Sequence, residues 1–293
     1  MDNRAATLVA EQAGQLVARL ASFEGCLVAY SGGVDSAVVA KAAQLALGVR
    51  ALAVTGVSDS LAAGELEAAQ LIAAAIGICH ETVATGELAD PAYSRNAPDR
   101  CFHCKTELYS QLSRLAEQRG FAVVASGANA DDLGDFRPGL QAAANHRIRS
   151  PLAECNLDKA AVRAIARHWN IEAWDKPATP CLSSRLAYGV AVSPERLARI
   201  DAAEQLLRSH DLGAVRVRLH ENDLARLEVP LAQLALLCEP GVRESIVREL
   251  RKLGFRYVTL DLEGFRSGSF QQLVPSDDLV RFASRQTSAT ENC

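Results

Sequence analysis

The segment Ser31-Gly32-Gly33-Val34-Asp35-Ser36 places two glycines, two hydroxyls and a carboxylate directly after the apolar run Cys26-Leu27-Val28-Ala29-Tyr30. Glycines let backbone N–H groups approach an oxyanion closely, and Ser31 and Ser36 add hydroxyl donors. At the start of a helix, such a turn is an anion site. It lacks the lysine of a Walker A loop, and a bare glycine pair also reads as a tight turn capped by Ser31. Further along, Ser126-Gly127-Ala128-Asn129-Ala130-Asp131-Asp132 follows another apolar run. Beside a phosphate site Asp131 or Asp132 can hold Mg²⁺ directly or through water, and Asp35 is another candidate; alone, the pair is a solvated loop.

A second chemistry belongs to sulfur. Cys101-Phe102-His103-Cys104 is the one CxxC in the chain. It gives two thiolates, whereas a closed zinc site needs four ligands, so at least a third must come from elsewhere. The best candidate is Cys181, in Lys176-Pro177-Ala178-Thr179-Pro180-Cys181-Leu182-Ser183-Ser184-Arg185, because that loop follows the last element of the sheet domain and should face its ligand-binding edge. Cys26 and Cys79 fall in apolar strands and read as core packing. Cys155, Cys238 and Cys293 have no motif around them.

A third group is cationic. Arg216 and Arg218 occupy alternate positions of one strand and point to the same face; with Ser184 and Arg185 they can make a forked anion pocket for a substrate phosphate. The alternative is a solvated strand face. Glu204 and Glu228 either orient these arginines or are surface salt-bridge partners. His103 and His220 adjoin motifs without an assigned role.

The elements that must position these groups follow from periodicity. Leu8, Val9, Leu16, Val17 and Leu20 recur at helical spacing before Gly25, and then buried strands and helices alternate: strand 26–30, helix 34–47, strand 50–57, helix 61–76, strand 78–83, helix 105–119, strand 121–126. That alternation predicts a mostly parallel sheet covered by helices on both faces. After residue 150 come a helix over 157–169 and a proline-bearing loop over 173–185. The expected boundary lies near Leu186, giving domains over 1–185 and 186–283 and a frayed polar tail over 284–293. The second is a small α+β domain: helix 194–209, strands 214–220 and 224–229, a helical stretch to Leu253, and a strand over 256–262.

With 293 residues and 49% hydrophobic content the chain has room for two domains of about 150 residues and a sizeable core. Lys+Arg 31 against Asp+Glu 35 leaves a net charge of −4, which argues against a polyanion-coating protein, so no nucleic-acid partner is expected. No window approaches the roughly 20 apolar residues that span a bilayer, and the N-terminus lacks the pattern of a signal peptide; the expectation is a cytoplasmic protein with no membrane partner. Eight cysteines are too few for a disulfide-built fold, so closely spaced ones point to metal binding or redox chemistry.

The hexapeptide matches the SGGxDS pyrophosphate loop of the ATP pyrophosphatase, or PP-loop, superfamily in its strand–loop–helix setting, and the 126–132 segment sits where that superfamily has its second nucleotide-contacting segment. More specifically, SGGVDS, NAPDRCFHCK, GANADDLGDFRPG, KPATPCLSSR and Arg216-Val217-Arg218 together resemble the LarE family of ATP-dependent sulfur transferases over most of residues 20–265. The resemblance implies an adenine nucleotide alpha hydrolase-like α/β fold. It also implies adenylylation of a carboxylate on pyridinium-3,5-biscarboxylic acid mononucleotide, followed by sulfur insertion to a thiocarboxylate used in making the nickel-pincer nucleotide cofactor of lactate racemase. Its implied ATP and Mg²⁺ site comprises Ser31, Gly32, Gly33, Val34, Asp35, Ser36, Ser58, Gly127, Asp131 and Arg137, with Asp35, Ser36 and Cys181 in catalytic roles; Ser58 otherwise reads as a helix cap, and Arg137 as part of a turn. Its implied substrate site is Ser184, Arg185, Glu204, Arg216 and Arg218.

Two sulfur sources are known in that family. In one, a single cysteine matching Cys181 gives up its sulfur and becomes dehydroalanine. In the other, three cysteines matching Cys101, Cys104 and Cys181 hold a 4Fe-4S cluster whose fourth iron binds extra sulfide. This sequence has all three, which favours the cluster, reloaded by a sulfide donor that the sequence does not identify. The family also suggests a homo-oligomer. Two rivals are a PP-loop tRNA thiolase, disfavoured by the net charge, and a non-catalytic nucleotide-binding protein with zinc on Cys101, Cys104 and Cys181, with or without His103.

Overall fold

The computed structural model describes residues 3–134, 138–177 and 179–266. Arg137, and the expected domain end and tail beyond residue 266, lie outside the described residues. The chain divides into two compact units, one of residues 1–87 and 101–179 and one of residues 88–100 and 180–293. The division falls six residues before the expected boundary, and 88–100 crosses from the sheet domain to the second unit.

In chain order the helices and strands are α1 (Asn3–Ala21), β1 (Cys26–Ala29), α2 (Val34–Leu47), β2 (Ala51–Val57), α3 (Glu65–Ile76), β3 (Cys79–Ala84), α4 (Pro91–Ser94), α5 (Arg100–Arg119), β4 (Val123–Ala125), α6 (Pro138–Asn145), α7 (Pro151–Glu154) and α8 (Lys159–His168). They continue with α9 (Pro194–Arg208), β5 (Arg216–His220), β6 (Leu224–Glu228), α10 (Leu234–Cys238), α11 (Pro240–Lys252) and β7 (Tyr257–Leu260).

The first unit carries the expected parallel sheet, in the order β3-β2-β1-β4. Strand residues alternate between two cores, as the two-residue period of a strand requires. Cys26, Val28, Ala51 and Ala53 face a layer built with α1, α2 and α8, while Leu27, Leu52 and Val54 face one built with α5 and α6. Helix α2 carries Ala37, Ala40, Ala42 and Ala43, all fully buried, so its backbone can lie close against the sheet. Because β2 and β3 extend from one side of β1 while β4 adds to the other, the strand order reverses between β1 and β4. In an open parallel sheet, the crevice at the carboxyl ends of two such strands is where ligands bind. The loops leaving β1 and β4 are the hexapeptide and the 126–132 segment.

The second unit is α+β. Strands β5 and β6 pair antiparallel and β6 pairs β7 in parallel, with α9 and α11 contributing Leu197, Ile200, Ile246 and Leu250 to the buried set. Its 88–100 segment is secured by Asn96, whose fully buried side-chain amide donates to the carbonyls of Ala187 (2.8 Å) and Val190 (2.9 Å). Tyr93 shares a 2.6 Å hydrogen bond with Ser183. These long-range polar contacts, which no apolar pattern announces, explain why the segment leaves the sheet unit.

Candidate active site

The hexapeptide turns directly from β1 into α2. Gly32 has φ +70°, and a Cβ there would stand 2.8 Å from the Ala69 Cβ, so α3 closes over the turn at a distance only glycine allows. Tyr30 fixes the same contact by donating its hydroxyl to the Ala69 carbonyl at 3.1 Å. Ser36 donates to the Gly33 carbonyl (3.0 Å) and lies 3.2 Å from the Ser31 hydroxyl, which accepts weakly from Gly33 N (3.4 Å). Gly33, the N-cap of α2, brings no side-chain acceptor. Ser31 is therefore not the helix cap. The first-turn N–H groups of α2 have no partner within the helix and receive no side-chain cap from Gly33.

The loop after β4 closes on this turn. Gly127 lies against the backbone of Asp35 and Ser36, and buried Asn129 donates its side-chain amide to Asp35 Oδ1 at 3.1 Å. Lys159, the first residue of α8, places its ammonium on Asp35 Oδ2. Asp131 and Asp132 have local duties: Asp131 accepts from Lys159 N (2.9 Å) and Asp132 from Asn129 N (3.0 Å). Of the three carboxylates considered for Mg²⁺, Asp35 is the one carried on the glycine turn of residues 31–36.

Ser58, just beyond β2, is turned inward. It donates to Glu87 Oε1 at 2.5 Å and receives Ser60 N at 3.3 Å, and Ser60 also donates to Glu87 at 3.0 Å. Glu87 is buried. This carboxylate shapes the turn following β2, and Ser58 serves that turn.

The thiols divide between the units. Helix α5 begins at Arg100, not at Lys105 as the apolar period suggests, because Ala97-Pro98-Asp99 forms a turn in which Arg100 N bonds the Ala97 carbonyl (2.9 Å). Cys101 and Cys104 are consequently an i,i+3 pair on one helix face, Cys101 exposed and Cys104 half-buried. Arg100 itself belongs to the second unit, where its guanidinium donates to the carbonyl of Ser183 (2.7 Å), two residues after Cys181. Among the described residues, no group of three or more His, Cys, Asp or Glu side chains converges as a ready-made metal site.

Around Cys181 the second unit is strongly cationic. Arg185, 0% exposed, binds Glu204 in forked fashion (2.9 and 3.3 Å) and donates to the carbonyls of Pro180 and Cys181, the latter at 3.0 Å. Ser184 Oγ adds a bond to the Cys181 carbonyl at 2.7 Å. Arg185 and Ser184 thus secure the backbone of the cysteine turn. Arg218 reaches the Ser184 carbonyl and Glu228, each at 2.9 Å. Arg208 shares Glu204 and Arg226 shares Glu228, so Arg185, Arg208, Arg218 and Arg226 divide two wholly buried carboxylates among them. Arg216 joins the same cluster, its guanidinium 5.1 Å from the centre of the Phe265 ring. Burial, followed by the nearby Arg185 charge, lowers its pKa to about 10, with Glu204 opposing. Glu204 and Glu228 are therefore interior orienting groups and not surface partners. His220 lies beyond them, its ring nitrogen 3.2 Å from Arg226 Nε, and its pKa is depressed by burial and then by Arg226 and Arg218.

Sequence reasoning passed over Lys159 and Glu87. Neither sits in a glycine or cysteine motif; only the folded chain brings Lys159 across 124 positions to Asp35.

A parallel four-stranded sheet flanked by helices, with SGGVDS at its strand-order reversal, is an α/β fold consistent with the PP-loop class. The chain belongs, within that class, to the LarE family. It is 37% identical over 279 residues, covering 95% of this chain and 100% of the relative, to the pyridinium-3,5-bisthiocarboxylic acid mononucleotide synthase of Lactiplantibacillus plantarum. An uncharacterized protein of Synechocystis is 47% identical over 85% of this chain and 92% of its own length. A third relative, an uncharacterized protein of Methanocaldococcus jannaschii, is 34% identical over 59% of this chain and 66% of its own. No family model matches the chain. No described helix is long and apolar enough to cross a membrane.

Proposed function

We propose that this protein is an ATP-dependent sulfur transferase that converts a carboxylate of pyridinium-3,5-biscarboxylic acid mononucleotide to a thiocarboxylate, a step toward a nickel-pincer nucleotide. The observation that carries this reading is end-to-end similarity to a synthase of the bisthiocarboxylic product, joined to an intact phosphate turn at the sheet's ligand edge.

A carboxylate resists substitution because its leaving group would be oxide. In the proposed first half-reaction a carboxylate oxygen attacks the α-phosphorus of ATP and pyrophosphate leaves; in the second, a sulfur nucleophile adds to the acyl carbon and AMP leaves. The N–H groups of α2 and the Ser31 and Ser36 hydroxyls stabilise the departing pyrophosphate, and Asp35 suits a Mg²⁺ that shares its charge. The surplus of guanidinium over carboxylate around Arg216 and Arg218 suits the substrate phosphate, with Glu204 and Glu228 holding the arginines in place.

Cys101, Cys104 and Cys181 are the proposed ligands of a 4Fe-4S cluster. Their chemistry fits: all three are soft thiol donors, and Cys101 and Cys104 share one helix face. When bound, the cluster supplies an iron not ligated by protein, on which sulfide can be carried.

The test is pyrophosphate release by anaerobically purified protein. Release stimulated by the biscarboxylate nucleotide and not by tRNA is expected; stimulation by tRNA alone overturns the assignment in favour of RNA thiolation. Iron with acid-labile sulfide is expected in the same preparation, and zinc without sulfide contradicts the cluster.

A further inference from the structure

We infer that Lys159 supplies the cation missing from the phosphate turn and binds the pyrophosphate end of the nucleotide. The inference deepens the function proposed above and rests on its use of ATP.

The turn of residues 31–36 has no lysine or arginine of its own. An uncapped helix N-terminus carries roughly half a positive charge, well short of what a departing pyrophosphate requires. Lys159 is built to make up the difference. Its backbone N–H is anchored by Asp131, and its helix is capped by Asp158, which accepts from Ala161 N at 2.7 Å. Three residues into α8, Val162 is fully buried, as are Ile165 and Ala166, in the same core as α2. The base of the lysine is thus fixed relative to the turn, while its side chain keeps 40% exposure and its ammonium rests on Asp35, 25% exposed. An exposed ion pair of this kind adds at most about 1 kcal/mol to stability, so fold maintenance is a weak reason for so anchored a lysine.

Asp35 has a second partner in Asn129, so it stays held when the ammonium moves. Asp35 would hold Mg²⁺ when the metal is bound, and the Lys159 ammonium would then turn from a carboxylate oxygen to a phosphate oxygen. No bond is made or broken; one charge-assisted hydrogen bond replaces another.

The experiment is calorimetric titration of full-length protein and of its Lys159→Met and Lys159→Arg variants with MgATP, inorganic pyrophosphate and AMP. Lys159→Met is expected to weaken ATP and pyrophosphate at least about 10-fold while leaving AMP within about 2-fold, with Lys159→Arg recovering much of the loss. Unchanged pyrophosphate affinity in Lys159→Met overturns the inference. So does an equal loss for AMP, which marks a collapsed turn. A wild-type protein that binds neither ATP nor pyrophosphate overturns the nucleotide reading itself.

Discussion

A Cβ added to Gly127 would stand 2.8 Å from the backbone nitrogen of Ser36. The loop after β4 and the glycine turn after β1 are therefore packed main chain to main chain. Gly127→Ala must push the loops apart, since backbone atoms cannot rotate away as a side chain can. The expected result is a loss of about 1–3 kcal/mol in stability and at least a 10-fold weaker ATP affinity, read by urea unfolding and calorimetry.

Glu204 is the shared anion of the second unit. It is 0% exposed and accepts from Arg185, Arg208 and the Val217 N–H. Removing it leaves the wholly buried Arg185 without its carboxylate. Glu204→Ala is expected to cost about 3–5 kcal/mol, measured as a fall in the urea midpoint.

Thiol labelling distinguishes the cysteines. Burial raises the Cys26 pKa to about 12, so in native protein Cys26 resists iodoacetamide, whereas Cys101, Cys238 and Cys79, which is exposed at the start of β3 and not in the core as its apolar strand suggests, react. After anaerobic reconstitution with iron and sulfide, Cys101, Cys104 and Cys181 become protected while Cys79 and Cys238 stay reactive. Peptide mass spectrometry reads the pattern, and continued labelling of Cys101 contradicts the cluster.

The folded-state pKa values of His80 and His220 both lie below the ordinary 6.5, His80 through burial and His220 through burial and then its arginine neighbours. Below about pH 6.5 the unfolded chain takes up protons that the folded chain refuses. Stability is therefore present above that value and is lost as pH falls through the lower folded pKa values. Urea midpoints should decline from about pH 7 to about pH 5.5, and His220→Gln should flatten part of that slope.

Much of this molecule was legible in the chain. Short apolar runs such as Cys26–Ala29 and Ala51–Val57 specify strands buried on both faces, and their alternation with helices specifies a parallel sheet. The glycine turn between β1 and α2 was legible because it is local: six consecutive residues carry it. Lys159, Glu87 and the 88–100 segment were not, since their roles come from contacts across 124, 29 and about 90 positions that leave no periodic trace. Likewise, alternation placed Arg216 and Arg218 on one face, but their enclosure depends on Glu204 and Glu228, whose burial a charged sequence does not announce.

The most direct test counts products per chain. Anaerobically reconstituted full-length protein is given MgATP, pyridinium-3,5-biscarboxylic acid mononucleotide and sulfide; pyrophosphate and thiocarboxylate are quantified, and the mass of the protein is recorded afterwards. More than one of each product per chain, with the polypeptide mass unchanged, is predicted. Absence of pyrophosphate, or a single turnover that leaves Cys181 short of one H₂S, would contradict the account.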